Sequence, residues 1–297
     1  MTPRRHLLSV DDLSDSEILK ICERALKDPP RATQIDPRKA AVGLIFMEPS
    51  TRTRTSFERA AQLLGRPTIH LTADDSSLTK GETVQDTLAN LASLDVSCCV
   101  IRFSHDFAAA DLRDHRLVSV INAGDGTREH PTQALLDLCT LMKVYGSAGL
   151  KGLKLAIVGD LRHSRVAASW ARLAPRMGID LTFVAPAEWA PSGWGSKIPL
   201  SSEGRTALKG QDAVMALRVQ KERMPSVDIG VVERYVRDFR ISPSDLGPHQ
   251  KLLHPGPVNW GIELSLETQN DPRTLILEQV SCGLAVRSVL LEFLDPV

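Results

Sequence analysis

Ala41-Val42-Gly43-Leu44-Ile45-Phe46-Met47-Glu48-Pro49-Ser50-Thr51-Arg52-Thr53-Arg54-Thr55-Ser56-Phe57-Glu58 passes from an apolar run into a segment of hydroxyls and guanidinium groups. Ala41–Met47 has the length and composition of a short buried strand. Glu48-Pro49 stops it, and Ser50 or Thr51 then stands as the N-cap of a helix continuing through Leu64. A strand turning directly into a helix is the repeating unit of a parallel sheet covered by helices. The first turn of such a helix presents unpaired backbone N–H groups, and the helix dipole adds to their attraction for an anion. Arg52 and Arg54, two residues apart, cannot face the same way. One can grip an oxyanion bidentately while the other makes structural pairs, Arg54 with Glu58 four residues on. Taken alone, the run also fits a capped helix with a solvated basic first turn.

The same alternation extends in both directions. The capping box Ser14-x-x-Glu17 and the apolar positions Ile18, Leu19, Ile21 and Leu26 signal an opening helix. Strands are expected at Thr68–Leu71, Ser97–Arg102 and Leu117–Asn122, with helices at Glu82–Leu94 and around Asp106–Leu112. Pro131 suits the first turn of a long helix to about Val144 that crosses to a second unit. There, Leu153–Asp160 reads as a central parallel strand, followed by strands at Asp180–Val184, Ala213–Leu217 and Leu252–Leu253. A loop between Ala185 and Gly195 and a stretch at Lys221–Pro248, long enough for a mobile segment, interrupt the pattern. A last helix runs from about Leu275 to Leu294, and no fixed-period repeat is present. The expected fold class is α/β, with two similar domains, each a parallel sheet flanked by helices, and a cleft between them.

The 297 residues suffice for two domains of ordinary size. Lys and Arg total 36 against 36 Asp and Glu, so no net charge draws the chain to nucleic acid or to an anionic membrane. Cys22, Cys98, Cys99, Cys139 and Cys282 show no C-x-x-C spacing and suggest neither a zinc site nor a disulfide framework. Reduced, mostly buried thiols, and a cytoplasmic location without signal segment or membrane span, are expected. Val158-Gly159-Asp160 after a strand resembles the start of a dinucleotide site, but Gly159-Asp160-Leu161-Arg162-His163-Ser164 lacks the glycines of G-x-G-x-x-G. No cofactor and no metal are expected.

Five stretches in this order resemble the aspartate/ornithine carbamoyltransferase family. They are the Ser50–Glu58 run, Ser76-Ser77-Leu78-Thr79-Lys80-Gly81-Glu82-Thr83, His130-Pro131-Thr132-Gln133-Ala134-Leu135-Leu136-Asp137, Met215–Arg223 and Leu253-His254-Pro255-Gly256-Pro257. The resemblance spans most of the chain. It implies a carbamoyl-phosphate-binding domain at 1–131, completed by a C-terminal helix at about 277–297, and an acceptor domain at 132–276. Ser50, Thr51, Arg52 and Thr53 would hold phosphate oxygens. Arg102, at a strand end where open α/β sheets place ligand residues, would contact the phosphate and the carbonyl. His130 would donate to the carbonyl oxygen, Gln133 would accept from the carbamoyl NH₂, and Gly256 and Pro257 would shape the pocket through backbone carbonyls.

Two cations beside the carbamoyl group suit a dicarboxylic acceptor. The resemblance gives these roles to Arg165 and Arg218, with Gln220, and the absence of the His-Cys-Leu-Pro of ornithine enzymes implies L-aspartate. Ser77 and Lys80 would reach the active site of a neighbouring subunit in a homotrimer, Ser77 binding carbamoyl phosphate and Lys80, a catalytic residue, pairing with phosphate and with the aspartate carboxylates. A regulatory chain or a dihydroorotase is left open as a partner. The chain departs from the family at Val258-Asn259-Trp260-Gly261, where many bacterial members carry N-R-G. Two alternatives stand beside this reading: a carbamoyltransferase for ornithine or an acylated amino acid, and a non-catalytic homologue acting as partner or scaffold.

Overall fold

The computed structural model describes residues 4–74, 76, 78, 81–106, 112–191, 197–220 and 229–296. It holds two compact units, one running to Cys139 and resuming at Val280, the other Thr140–Gln279.

In the first unit, α1 (Asp15–Lys27) opens on the Ser14 capping box and buries Ile18, Ile21, Cys22 and Ala25. The strands β1 (Ala41–Phe46), β2 (Thr68–Thr72), β3 (Val96–Phe103) and β4 (Ser119–Asp125) form one parallel sheet in the order β2-β1-β3-β4. Every residue of β1 is buried, as its unbroken apolar run requires of a central strand. Ile45 packs with Leu88 and Leu91 of α3 (Val84–Ser93) and with Cys99, Ile101 and Val120. β4 begins two residues later than Leu117, which is half exposed, and the N-terminal segment adds to its edge through Leu7 N–H to Val120 O at 2.8 Å. The helix α2 (Thr51–Leu63) follows β1, and α4 (Pro131–Tyr145) follows β4. The helix expected around Asp106–Leu112 falls mostly outside the described residues. The Arg54–Glu58 pair does not form: Glu58 instead lies 3.7 Å from His70 Nε2 across to β2, both side chains remaining about one third exposed.

Arg66, with its side chain fully enclosed, ties the unit together. It donates to Ala40 O, Ala41 O and Ser97 Oγ and pairs with Asp295 at 2.8 Å, just past α7 (Ile276–Leu294). All five cysteines are free and buried, as expected. Burial pushes the Cys98 thiol up to about 12, so it stays protonated and inert at neutral pH.

The second unit carries β5 (Lys154–Val158), β6 (Asp180–Val184), β7 (Leu200–Ser201), β8 (Ala213–Ala216) and β9 (Lys251–Leu253), all parallel in the order β7-β6-β5-β8-β9. β5 is followed by α5 (Arg165–Arg176). The two-residue edge strand β7 was not foreseen. Nor was α6 (Ile229–Asp238), which occupies part of the stretch read as mobile. Tyr235 of α6 is fully buried, its ring 5.0 Å from that of Trp189 and 5.5 Å from that of Phe239. Aromatic packing of this kind anchors a short helix that its own propensity would not. Among the described residues no helix is long and apolar enough to cross a membrane.

Candidate active site

The start of α2 has the features expected of an anion site. Ser50 is the N-cap, with φ −158° and ψ 87°, and no side chain caps the helix by a hydrogen bond. An N-terminus not closed by its own cap keeps donors for an incoming anion. Thr51 and Arg52 are exposed, while Thr53 is buried and faces the end of β3. There Arg102 donates through Nε to Glu48 Oε1 at 2.6 Å, and through Nη1 to Ala123 O at 3.3 Å and Thr53 Oγ1 at 3.5 Å. Four segments are thus held by one guanidinium: the loop after β1, the start of α2, the end of β3 and β4.

A tight turn after β4 sets His130. Asp125 N–H donates to Glu129 O at 3.0 Å, and Asp106 Oδ1 accepts from Thr127 N–H at 2.9 Å. Gly126 has φ +47°, and a Cβ there would clash with Asp106 Oδ1 and with the Asp106 backbone N, so only glycine fits. His130, 4% exposed, precedes Pro131, and its carbonyl accepts the first helical bonds from Gln133 and Ala134. Gln133 is buried on the next turn, its Nε2 donating to Asp137 Oδ1 at 2.8 Å.

In the second unit the ends of β5 and β8 come close. Gly159 has φ +130°, and a Cβ there would lie 2.9 Å from Leu217 O. This requirement, not a dinucleotide, explains the glycine after the strand. Asp160, fully buried, accepts from His163 Nδ1 at 2.8 Å and from Gln220 N–H at 3.3 Å. Gln220 Nε2 in turn donates to His163 O at 2.8 Å, which ties the exit of β8 to the turn before α5. Glu263 Oε1 accepts from Val219 N–H at 2.6 Å and from Asn259 Nδ2 at 2.6 Å, and its Oε2 accepts from Asn259 N–H at 2.7 Å. Burial pushes both carboxyls above their ordinary range, and the donors around them act in the opposite direction. Arg218 therefore sits beside backbone fixed by two buried acids. Arg165, 7% exposed, is the first residue of α5, where Ser164 Oγ caps Ala167 N–H at 3.1 Å.

Gly256 has φ +66°, its N–H donates to His254 Nδ1 at 2.8 Å, and the Gly256–Pro257 bond is cis. Trp260 forms a bridge to Leu264 within the loop that Glu263 holds. Ser77 and Lys80 lie outside the described residues. The structure thus joins Thr53 with Arg102, and Gln220 with the approach to Arg165. Sequence reading missed Glu48, Asp137, Asp160 and Glu263 as the acids that orient these groups. A cavity of about 360 Å³ at the N-terminal side of β8 and β9, lined by Tyr145, Lys209, Asp212, Asp245 and His249 among others, contains none of the expected residues.

Residues 5–143 match the model of the aspartate/ornithine carbamoyltransferase carbamoyl-P binding domain, and residues 151–294 match that of the Asp/Orn binding domain. The aspartate carbamoyltransferase catalytic subunit of Koribacter versatilis is 40% identical over 296 residues, covering 98% of this chain and 97% of that protein. The structure of aspartate transcarbamoylase from Trypanosoma cruzi in complex with carbamoyl aspartate and phosphate is similar with a TM-score of 0.85 and 25% identity, over 97% of this chain and 95% of that one. Ornithine carbamoyltransferase from Thermus thermophilus is similar with a TM-score of 0.84 and 27% identity, over 99% of each chain.

Proposed function

Because the chain belongs to the aspartate/ornithine carbamoyltransferase family, we propose that it transfers the carbamoyl group of carbamoyl phosphate to the α-amine of L-aspartate, giving N-carbamoyl-L-aspartate and phosphate. The observation that carries the reaction is Arg102 set against Thr53 at an uncapped helix start. Ornithine enzymes share this fold, so shape alone does not choose the acceptor. What favours aspartate is the arginine pair and the 40% identity to an aspartate enzyme over nearly the whole chain.

Carbamoyl phosphate brings a phosphate dianion beside a carbonyl. Ser50, Thr51, Arg52 and Thr53 take the phosphate oxygens, and Arg52 offsets charge as the bond to phosphate breaks. Thr53, Arg102 and His130 polarise the carbonyl, and Gln133 accepts from the carbamoyl NH₂. Gly256 and Pro257 close the pocket with backbone carbonyls. Arg165, Arg218 and Gln220 bind the aspartate carboxylates and so hold its neutral amine for attack. The N–C bond forms, the oxyanion rests on Thr53, Arg102 and His130, and its collapse breaks the C–O bond to phosphate. A phosphate oxygen takes the amine proton. Phosphate release from carbamoyl phosphate that depends on added L-aspartate tests this; release at the spontaneous rate would end it.

The reading extends to a cytoplasmic homotrimer in which Ser77 and Lys80 complete a neighbour's site. Inactive Lys80→Ala subunits mixed with inactive Arg52→Ala subunits then regain part of the activity, and none returns if each subunit is self-sufficient. Association with a regulatory chain or a dihydroorotase would add partners without changing the chemistry.

Glu263→Gln separates the two substrates. Both carboxylate oxygens of Glu263 accept N–H groups, so either orientation of the new amide sets NH₂ against a donor. Losing such a bond typically costs about 1–3 kcal/mol. The segment bearing Arg218 loosens, and the KM for aspartate rises about tenfold or more while that for carbamoyl phosphate stays within about twofold. Equal rises in both would refute the assignment of Arg218 to aspartate.

A further inference from the structure

Gln133 and Asp137 lie four residues apart on one face of α4, and neither is open to solvent. Their 2.8 Å contact runs from Gln133 Nε2 to Asp137 Oδ1. A carboxylate only accepts, so this bond takes the NH₂ end of the amide and leaves Oε1 as the free-facing end. Asp137 is fully buried, a costly place for an anion without a counter-charge. Arg287 of α7 supplies one. It is 3% exposed, with its guanidinium 5.2 Å from the ring of Phe57 on α2. A Cβ at Gly283 would come within 3.1 Å of Leu136 and 3.2 Å of Arg287 Nη1, so α7 packs tightly on α4 there and any larger residue would press on both side chains. Burial pulls Arg287 down to about 10, with the charge of Asp137 raising it and that of Arg52 lowering it. Arg287 therefore remains a cation at neutral pH.

We propose that Asp137 is a positioning residue that makes the site choose a carbamoyl over an acyl group, by fixing the Gln133 amide with Oε1 as acceptor for the substrate NH₂. The Arg287 cation, enclosed on α7, faces Asp137 as its counter-charge and so keeps the orientation single. The inference rests on the carbamoyl-transfer reading, in which Gln133 meets that NH₂.

Acetyl phosphate is the probe, because it carries a methyl where carbamoyl phosphate carries NH₂. Its inhibition constant against carbamoyl phosphate, divided by the KM for carbamoyl phosphate, measures the preference. In Asp137→Asn, residue 137 presents both amide ends, Gln133 can turn, and the preference falls about tenfold, the equivalent of one hydrogen bond, with acetyl phosphate inhibition little changed. The exchange Gln133→Glu with Asp137→Asn reverses the bond: the new amide donates to the new carboxylate, whose other oxygen still accepts from NH₂. It keeps one carboxylate within the pair and restores the preference to within about threefold of the parent.

A merely structural role would weaken both ligands alike in Asp137→Asn and give no recovery in the exchange, and either result overturns the proposal. If Asp137→Asn does not fold, the exchange alone decides, since loss of the preference there is equally fatal. A parent protein that forms no carbamoylated aspartate would sink the reaction itself. An active parent whose variants keep an unchanged preference sinks only the role of Asp137.

Discussion

Arg102→Ala lowers kcat for carbamoyl transfer about a hundred- to a thousandfold, the usual effect of deleting a donor to a developing oxyanion. Its KM for carbamoyl phosphate rises as well. The side chains of Arg102 and Glu48 are each only 14% exposed and meet at 2.6 Å. Removing the guanidinium leaves the Glu48 carboxylate beside the place where a dianion must bind, so the local charge changes sign. Arg102→Lys keeps the charge but not the planar fork that reaches Glu48, Ala123 and Thr53 together. It should recover binding more than turnover. Steady-state kinetics against carbamoyl phosphate check both variants, and an alanine variant within about threefold of the parent would remove Arg102 from the chemistry.

Asp295→Ala produces the largest loss of stability. Arg66 is wholly enclosed and Asp295 is 3% exposed, and the variant strands a buried cation. Breaking a buried pair from one side costs about 3–5 kcal/mol. For a unit of this size that is a fall in Tm of roughly 6–20 °C. Thermal scans at one heating rate measure it, and a change under about 2 °C would show that Arg66 finds other partners. The same variant leaves the α2 start and the end of β3 untouched, so activity at low temperature persists.

Much of the fold was legible because central parallel strands are short, apolar and bounded. β1, β5 and β6 stand out from their sequence alone, and the Ser14 box marks α1 to the residue. α6 was hidden because its anchor, Tyr235 against Trp189 and Phe239, depends on a residue 46 positions earlier, a contact no local pattern shows. Arg52 was singled out by the Ser50–Glu58 run, and Arg102, Arg165 and Arg218 by the family resemblance, but the acids packed beside them were not singled out at all. Glu48 meets Arg102 across 54 residues and Glu263 meets Val219 across 44. Glu48 looked like a strand stop, and Asp160 like the start of a nucleotide motif. Their roles come from burial, which obliges each to find donors. Asp137 lay within a quoted motif, but only the enclosed geometry of α4 and α7 gives it a task.

The central claim concerns the acceptor, and one reaction tests it. Purified protein is given carbamoyl phosphate with L-aspartate and L-ornithine at equal concentration, and the products are identified by mass spectrometry while phosphate is counted. Transfer to aspartate predicts N-carbamoyl-L-aspartate as the sole carbamoylated amino acid, with one phosphate for each molecule formed. Carbamoylated ornithine in its place, or phosphate released with neither amino acid modified, would contradict it.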